Sequence, residues 1–295
     1  MAEPRGRLLV VGKNSFIARH FLGAAPSDQV VAVSHGDLGR PDLLDGVDRV
    51  VSFARHPDAG RDGYDPSTMD PDIALARRIG DRDISHVMLS SRKVYAPSET
   101  PLAETAPLGP TDAYGRNKLE VERALRAMLG DRLTILRLAN IFGDERLPGR
   151  RSFLSLVLNR LAERNQIRYD MSPFVERDFL PVEALGGLLA KIVEQPPGDV
   201  MNVGSGIGLA TGRIALWIME GFGGGELLVG SHEDRDRFIL DIGLLERRYG
   251  RPCRLDDIRD RCLALGRQVR AAVGPSGSVS AGKAVSIGST SAARS

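Results

Sequence analysis

Arg7-Leu-Leu-Val-Val-Gly12-Lys-Asn-Ser15-Phe-Ile-Ala18 decides how this chain is read. A short apolar run ends in a glycine, and a helix follows. Runs without polar alternation suit strands buried on both faces, as in a parallel sheet. Outward from it the same kind of run recurs at Gln29-Val-Val-Ala-Val-Ser34, Asp48-Arg-Val-Val-Ser-Phe53, His86-Val-Met-Leu-Ser-Ser91 and Arg132-Leu-Thr-Ile-Leu-Arg-Leu138. Amphipathic segments such as Leu119 to Leu129 lie between them. This alternation predicts an α/β fold with a doubly wound parallel sheet and right-handed crossovers. Past residue 145 the pattern loosens. Ser152 to Ala162 reads as a helix, and Leu185, Leu188, Leu189 and Ile192 recur at helical spacing. Asp199 to Val203 is a short strand, and Ile258, Cys262, Leu265 and Val269 line one face of a last helix. Gly274 to Ser295 is Gly, Ser and Ala with hardly an apolar side chain larger than Val, so a disordered tail is expected there.

The composition narrows the class. Forty Lys plus Arg against 38 Asp plus Glu leave a formal charge of +2, too small for a protein that holds nucleic acid by bulk charge. No apolar run is long enough to span a bilayer, and Met1 to Arg7 leads straight into a strand, so neither a membrane helix nor a signal peptide is expected. Two cysteines, Cys253 and Cys262, give no disulfide framework and no metal-ligand spacing. A cytoplasmic enzyme or binding protein remains.

The first turn bears on ligands. Glycines at a strand-to-helix turn let backbone approach a pyrophosphate at the helix N-terminus. Here the small positions are Gly12, Ser15 and Ala18, with Lys13, Asn14, Phe16 and Ile17 between them. A plain strand-to-helix turn accounts equally well for this segment alone. At the end of the second strand an NAD site usually carries a carboxylate for the ribose hydroxyls. The chain has Ser34 there, then His35 and Arg40, with Asp37 three residues on. That tilts the expectation towards NADP(H), with NAD(H) as the alternative. A solvated loop is the bland reading of His35 and Arg40.

The strongest constellation is Ser90-Ser91-Arg-Lys-Val-Tyr95 followed by Tyr114-Gly-Arg-Asn-Lys118. Tyr and Lys four apart share one helix face. A lysine ammonium beside a tyrosine favours the phenolate, so such a tyrosine can exchange a proton with a substrate hydroxyl or ketone. A serine at the end of the fourth strand can hydrogen-bond the same oxygen. The chain uses five lysines against 35 arginines, so lysine at 118 suits a compact point charge. Taken alone, Tyr-x-x-x-Lys is also a common helix surface pair.

With these motifs in order, the sequence resembles the extended short-chain dehydrogenase/reductases, the NAD(P)-dependent nucleotide-sugar epimerase, dehydratase and reductase group. The resemblance covers roughly residues 6–272. Its motifs are Val10-Val11-Gly12 through Phe16-Ile17, Phe53-Ala54, Ser90-Ser91 to Val94-Tyr95, and Tyr114 to Lys118. Leu136 to Gly143, Arg177 to Glu183 and Asn202 to Ser205 complete them. It implies a Rossmann-type cofactor domain at 1–145, to which 175–205 return, a smaller substrate lobe mainly from 146–272, and the tail at 273–295. It implies Ser91, Tyr114 and Lys118 as the catalytic trio, with Phe53 and Ala54 beside the cofactor. Ser91, Arg92, Asn140 and Arg177 would meet a nucleotide-diphosphate sugar. On the residues alone, Arg177 reads as an exposed charge beside Asp178. Family dehydratases carry Asp-Glu directly after the serine position, where this chain has Arg92-Lys93. A dehydratase is therefore not expected; ketoreduction of a keto-deoxysugar nucleotide by NADPH is, because the Ser34 position lacks a carboxylate, with a 4-epimerase as the alternative and a non-catalytic cofactor-binding sensor or scaffold as the reading from another class. A homodimer is expected through the helix after Tyr114, because Leu119, Val121, Leu125 and Leu129 occupy more than one face. The bland reading is that all four serve one chain's core.

Overall fold

Leu9, Val10 and Val11 are fully buried, which puts the first strand inside a sheet covered on both faces. The computed structural model describes residues 6–25, 29–144, 153–234 and 236–273. In chain order, the first part comprises β1 (Arg7–Val11), α1 (Phe16–Ala24), β2 (Val30–Val33), β3 (Val47–Ser52), α2 (Pro66–Met69), α3 (Pro71–Ile79), β4 (Ser85–Ser91), α4 (Ala113–Leu129) and β5 (Leu133–Leu138). Then come β6 (Asn140–Phe142), α5 (Phe153–Arg164), β7 (Gln166–Tyr169), β8 (Glu176–Pro181), α6 (Val182–Glu194) and β9 (Val200–Val203). The last are β10 (Gly208–Ala210), α7 (Thr211–Phe222), β11 (Glu226–Val229), α8 (Gly243–Tyr249) and α9 (Leu255–Val273).

The main sheet runs β2-β1-β3-β4-β5-β9, every neighbour parallel. This is the Rossmann-type α/β architecture that the sequence predicts. The standard doubly wound order carries one more strand outside the second. Here the chain leaves β2 through a short 3₁₀ turn, His35–Gly39, and residues 40–46 cross directly to β3. Leu43 and Leu44 are buried on that path and join Val47 in the core. β2 is therefore a sheet edge. One apolar layer lies between the sheet and α1 and α6, and continues under β8, α7 and α9. A second lies between the sheet and α3 and α4.

Two small sheets sit beside the main one. β8 pairs in parallel with β6 and antiparallel with β10, while β7 and β11 form a parallel pair. From β8 the chain passes through α6, which packs on α1, to β9 at the far edge of the main sheet. Ile258, Cys262, Leu265 and Val269 are all fully buried, and both cysteines are free. Among the described residues no helix is long and apolar enough to cross a membrane, and no cluster of His, Cys, Asp and Glu could hold a metal ion. Residues 274–295, most of the expected tail, lie outside the described residues.

Leu119, Val121, Leu125 and Leu129 are all buried within this one chain. The motive for a partner along α4 is thereby corrected, since these side chains face the sheet and leave Arg116, Glu120 and Arg123 outward. α4 is held to the sheet by charge as well. Arg137 of β5 forks onto Glu122 at 2.7 Å, both side chains being about 5% exposed or less. Ser90 donates to the same carboxylate, and the Arg137 guanidinium lies 4.7 Å from the centre of the Tyr95 ring. Tyr95 in turn donates to Asn202 of β9 at 2.7 Å. Removing one member strands a buried charge, so Glu122→Leu should cost about 3–5 kcal/mol in urea unfolding. The joint Glu122→Leu, Arg137→Met change should cost much less than the single one.

Candidate functional site

β4 ends in two serines that point to opposite faces, as strand geometry requires. Ser90 is spent on Glu122, so Ser91 is the one at the mouth of the sheet. A 3₁₀ turn, Arg92–Val94, follows, and the Ser91 Oγ accepts from the Lys93 N–H at 3.3 Å. α4 starts against this turn. Its N-cap Asp112 accepts from the Gly115 N–H at 2.8 Å and pairs with the Lys93 ammonium. Burial alone would raise the Asp112 carboxyl, but the bonds from Lys93 and Gly115 hold it below the ordinary range. A Cβ at Gly115 would lie 2.2 Å from the Lys93 carbonyl oxygen. Only glycine lets the helix approach this closely, and that approach carries Tyr114 up to the turn that follows Ser91.

Lys118, one turn on, is buried and donates to the Leu89 carbonyl at 3.1 Å. Burial alone would push its ammonium down. The charges of Tyr114, Asp72 and Asp70 outweigh this and hold it above the ordinary lysine value. Asp70 and Asp72 start α3 and are nearly fully buried, and His86 Nε2 stands 3.6 Å from Asp72 Oδ1. The Arg55 guanidinium lies 5.9 Å from the Tyr114 ring centre. Asp70, Asp72 and Arg55 escaped sequence reasoning because each is remote in sequence from the Tyr-Lys motif and none has a spacing of its own.

The first turn has the form of a cradle. Gly12 has φ +83°, and a Cβ there would stand 2.8 Å from the Ala54 nitrogen. Phe53 and Ala54 thus form the wall against which Gly12 is pressed. The N–H groups of Gly12 and Lys13 both donate to the Val33 carbonyl, and Ser15 caps α1 by accepting from the Ala18 N–H at 3.1 Å. Lys13 and Asn14 are exposed and Ile17 is half-buried. The Phe16 side chain is buried beside Gly143, so only its backbone faces the turn.

The end of β2 differs from the sequence expectation. Asp37 folds back so that its carboxylate accepts from the Ser34 N–H at 2.8 Å and from the Ser34 hydroxyl at 2.7 Å. These bonds hold the Asp37 carboxyl below the usual range, helped by Lys13 and Arg40. Arg40 forks onto Asp42, and His35 is exposed. A carboxylate therefore does stand at the end of β2, supplied from three residues on by a tight turn.

On the other side of Ser91 a cavity of about 780 Å³ opens between the turn after β4 and the segments around β8 and residue 236. Arg92, Lys93, Asp112, Phe174, Asp236 and Phe238 are on its wall. Arg92 forks onto Asp236 and lies 3.8 Å from the Phe238 ring centre. Arg177 is not an exposed charge beside Asp178. Its side chain is 12% exposed and donates from Nε to the Asp236 carbonyl at 3.1 Å. Asp178 is fully buried and accepts from Ser205 and Gly206. Asn140 is half-buried at the start of β6, next to β8. Phe174 and Asp236 carry no motif and were not foreseen.

A family model described as the NAD dependent epimerase/dehydratase family matches residues 8–204. No curated protein matches the chain. Among solved structures, the UDP-N-acetylglucosamine 4-epimerase of Methanobrevibacter ruminantium M1, in complex with UDP-N-acetylmuramic acid, is similar at 18% identity and TM-score 0.75, over 90% of this chain and 99% of that one. The UDP-glucose-4-epimerase of Stenotrophomonas maltophila, with bound NAD and formylated UDP-arabinopyranose, is similar at 20% identity and TM-score 0.74, over 91% and 99%. RMD from Pseudomonas aeruginosa, complexed with NADPH, is similar at 21% identity and TM-score 0.73, over 91% and 100%. At these identities the likeness concerns the fold.

Gly115 offers a test in which two effects have opposite sign. Helix propensity alone favours Gly115→Ala by about 1 kcal/mol. The contact with the Lys93 carbonyl predicts the reverse, a loss of about 1–3 kcal/mol from overpacking. The expected outcome is a lower melting temperature together with reduced turnover. A stabilised, fully active variant would show that α4 does not depend on this approach.

Proposed function

The chain belongs to the NAD dependent epimerase/dehydratase family, and we propose that within it this protein reduces a keto-deoxysugar nucleotide. The family is one of NAD(P)-dependent enzymes of the extended short-chain dehydrogenase/reductase type. The residues fit the dinucleotide on structural grounds. Gly12, at φ +83°, lets the end of β1 close on the Phe53 and Ala54 backbone and turn sharply into α1, and the N-terminus of α1 behind Ser15 offers backbone N–H groups to a pyrophosphate. Lys13, Asn14, Ser15, Ile17, Phe53 and Ala54 would hold the middle of the dinucleotide, Ser34 to Arg40 would border its adenosine end, and Tyr114 and Lys118 would meet the nicotinamide ribose. When bound there, the nicotinamide supplies the hydride chemistry.

The chain's own residues position the substrate and move the proton. Ser91 hydrogen-bonds the carbonyl oxygen, Tyr114 gives it a proton, and Lys118 faces the phenolate that remains. Arg177, with Asn140 and Arg92, receives the nucleotide sugar from the side of the cavity. Loss of water would need a second acid and base beyond the tyrosine. The two positions after Ser91 are cations paired with Asp236 and Asp112, which supports reduction over dehydration.

One observation carries the choice of reductase over 4-epimerase. The sheet ends at β2, and the turn that follows it is largely exposed, so the adenosine end of the cofactor site borders solvent. A reductase must exchange its cofactor every turnover, whereas an epimerase regenerates its own. Purified protein should therefore carry little cofactor and should oxidise added NAD(P)H with a keto-sugar nucleotide. Stoichiometric retained NAD would favour the epimerase. The division into a cofactor domain (1–145 with 175–205) and a lobe (146–272), a cytoplasmic setting and a homodimer belong to the same proposal. Pairing along α4 would then use its charged stripe.

Two substitutions test the assignments. Tyr114→Phe keeps the ring and loses the proton carrier, so turnover should fall about 10²-fold or more while cofactor affinity stays nearly unchanged. Asp37 shifts the cofactor proposal to NAD(H), because its carboxylate would accept from a ribose hydroxyl and repel a 2′-phosphate. Asp37→Ser should move the ratio of NADP to NAD affinity by about tenfold towards NADP in a binding titration. An unchanged ratio would remove Asp37 from the cofactor site.

A further inference from the structure

Arg177 is the residue proposed above for the substrate diphosphate, yet it is not on the wall of the cavity. Asp236 is on that wall and touches it. Two guanidinium groups converge on this one carboxylate. Arg92 forks onto both of its oxygens, and Arg177 NH2 stands 3.7 Å from Oδ2. Both arginines are fixed from elsewhere. Arg92 lies over the Phe238 ring on the turn after Ser91, and Arg177 is pinned in β8 by its register with Leu209 and its bridge to Phe238.

Asp236 is the most exposed of the three. Its side chain is 37% exposed, and its φ of +63° lies in the left-handed region that most residues avoid. Such outliers persist where surrounding contacts hold them, and they cluster at functional sites. Burial alone would raise its carboxyl, but Arg92, Arg177 and Lys93 keep it low and ionised. Both guanidinium groups are thus directed at one partly exposed carboxylate. A diphosphate carries more negative charge than a carboxylate and presents oxygens to both guanidinium forks.

We propose that Asp236 is a built-in competitor of the substrate diphosphate, occupying Arg92 and Arg177 until the diphosphate displaces it into solvent. This rests on the nucleotide-sugar reading of the cavity. The arginine pair is thus available to an anion that outcompetes a carboxylate, and a singly charged ligand is disfavoured. Apparent affinity is reduced by the fraction of protein in which the competitor is in place.

The experiment is calorimetric titration of the full chain with UDP, dTDP and GDP, comparing wild type with Asp236→Asn. Asparagine keeps the shape, tolerates a left-handed backbone and removes the charge. At least one nucleoside diphosphate should bind about five- to tenfold more tightly to the variant. Cofactor affinity should be unchanged. Binding equal to or weaker than wild type would overturn the proposal and make Asp236 an organiser of the two arginines. Binding of none of the three by either protein would overturn the nucleotide-sugar reading itself, and this proposal with it. If Asp236→Asn fails to fold, Asp236→Ser is read against the same outcomes.

Discussion

The start of α4 is clamped to the end of β4 at two heights, and the site depends on that clamp. At the top, Gly115 rests against the Lys93 carbonyl while Asp112 ties the helix N-terminus to Lys93. About two turns further on, Glu122 receives Ser90 and Arg137 in a buried ion pair. Tyr114 adjoins the first contact and Lys118 lies between the two. Helix-to-strand packing fixes where both side chains stand relative to the end of β4, with Lys118 bonded to the Leu89 carbonyl. A site built on regular elements holds its geometry more closely than one built on loops. The cavity beyond it shares Lys93 and Asp112 with the clamp and is completed by segments around β8 and residue 236.

Much of this was legible in the residues. Continuous apolar runs marked five of the six strands of the main sheet, β1 to β5, because strands buried on both faces leave little room for alternation. Tyr114 and Lys118 were legible as a pair because helical geometry converts a spacing of four into one face. What stayed hidden was what the chain brings together across long separations. β6, β8 and β10 are short, and β8 opens with Glu176-Arg177-Asp178, so no apolar run announces it. The two faces of α4 implied by Leu119 and Val121 were real, but both are covered by the same chain. The sheet and α3 together enclose more of this helix than its sequence reveals.

Two carboxylates carry the same lesson. Asp37 is three residues from the place where a ribose-binding carboxylate is sought, and only a tight turn returns it there. Asp236 is 59 residues from Arg177, yet it accepts from the arginine through its backbone and faces it through its side chain. In both cases the neighbour in space is a hydrogen-bonding partner that no spacing rule contains. The cations in the same regions, Arg40 and Arg92, were read as free to meet a ligand. In the structure each is already paired, with Asp42 and Asp236 respectively. In a chain this rich in arginine and aspartate, the sign of a local field follows from which pairs form.

The direct passage from β2 to β3 also bears on how the chain acquires its shape. Parallel pairing is slow when long segments must be ordered first, since closing a loop costs entropy before any contact repays it. Here β2, β1 and β3 are contiguous in the sheet and lie wholly within residues 7–52. The connection at 34–46 carries no α-helix, and Leu43 and Leu44 fill the layer where one would pack. The opposite edge is the reverse case, because β9 joins β5 only after β6, α5, β7, β8 and α6 have intervened. The sheet is thus local in sequence at one edge and distant at the other. Synthesis from the N-terminus favours a half-sheet that is paired early and waits for its last strand.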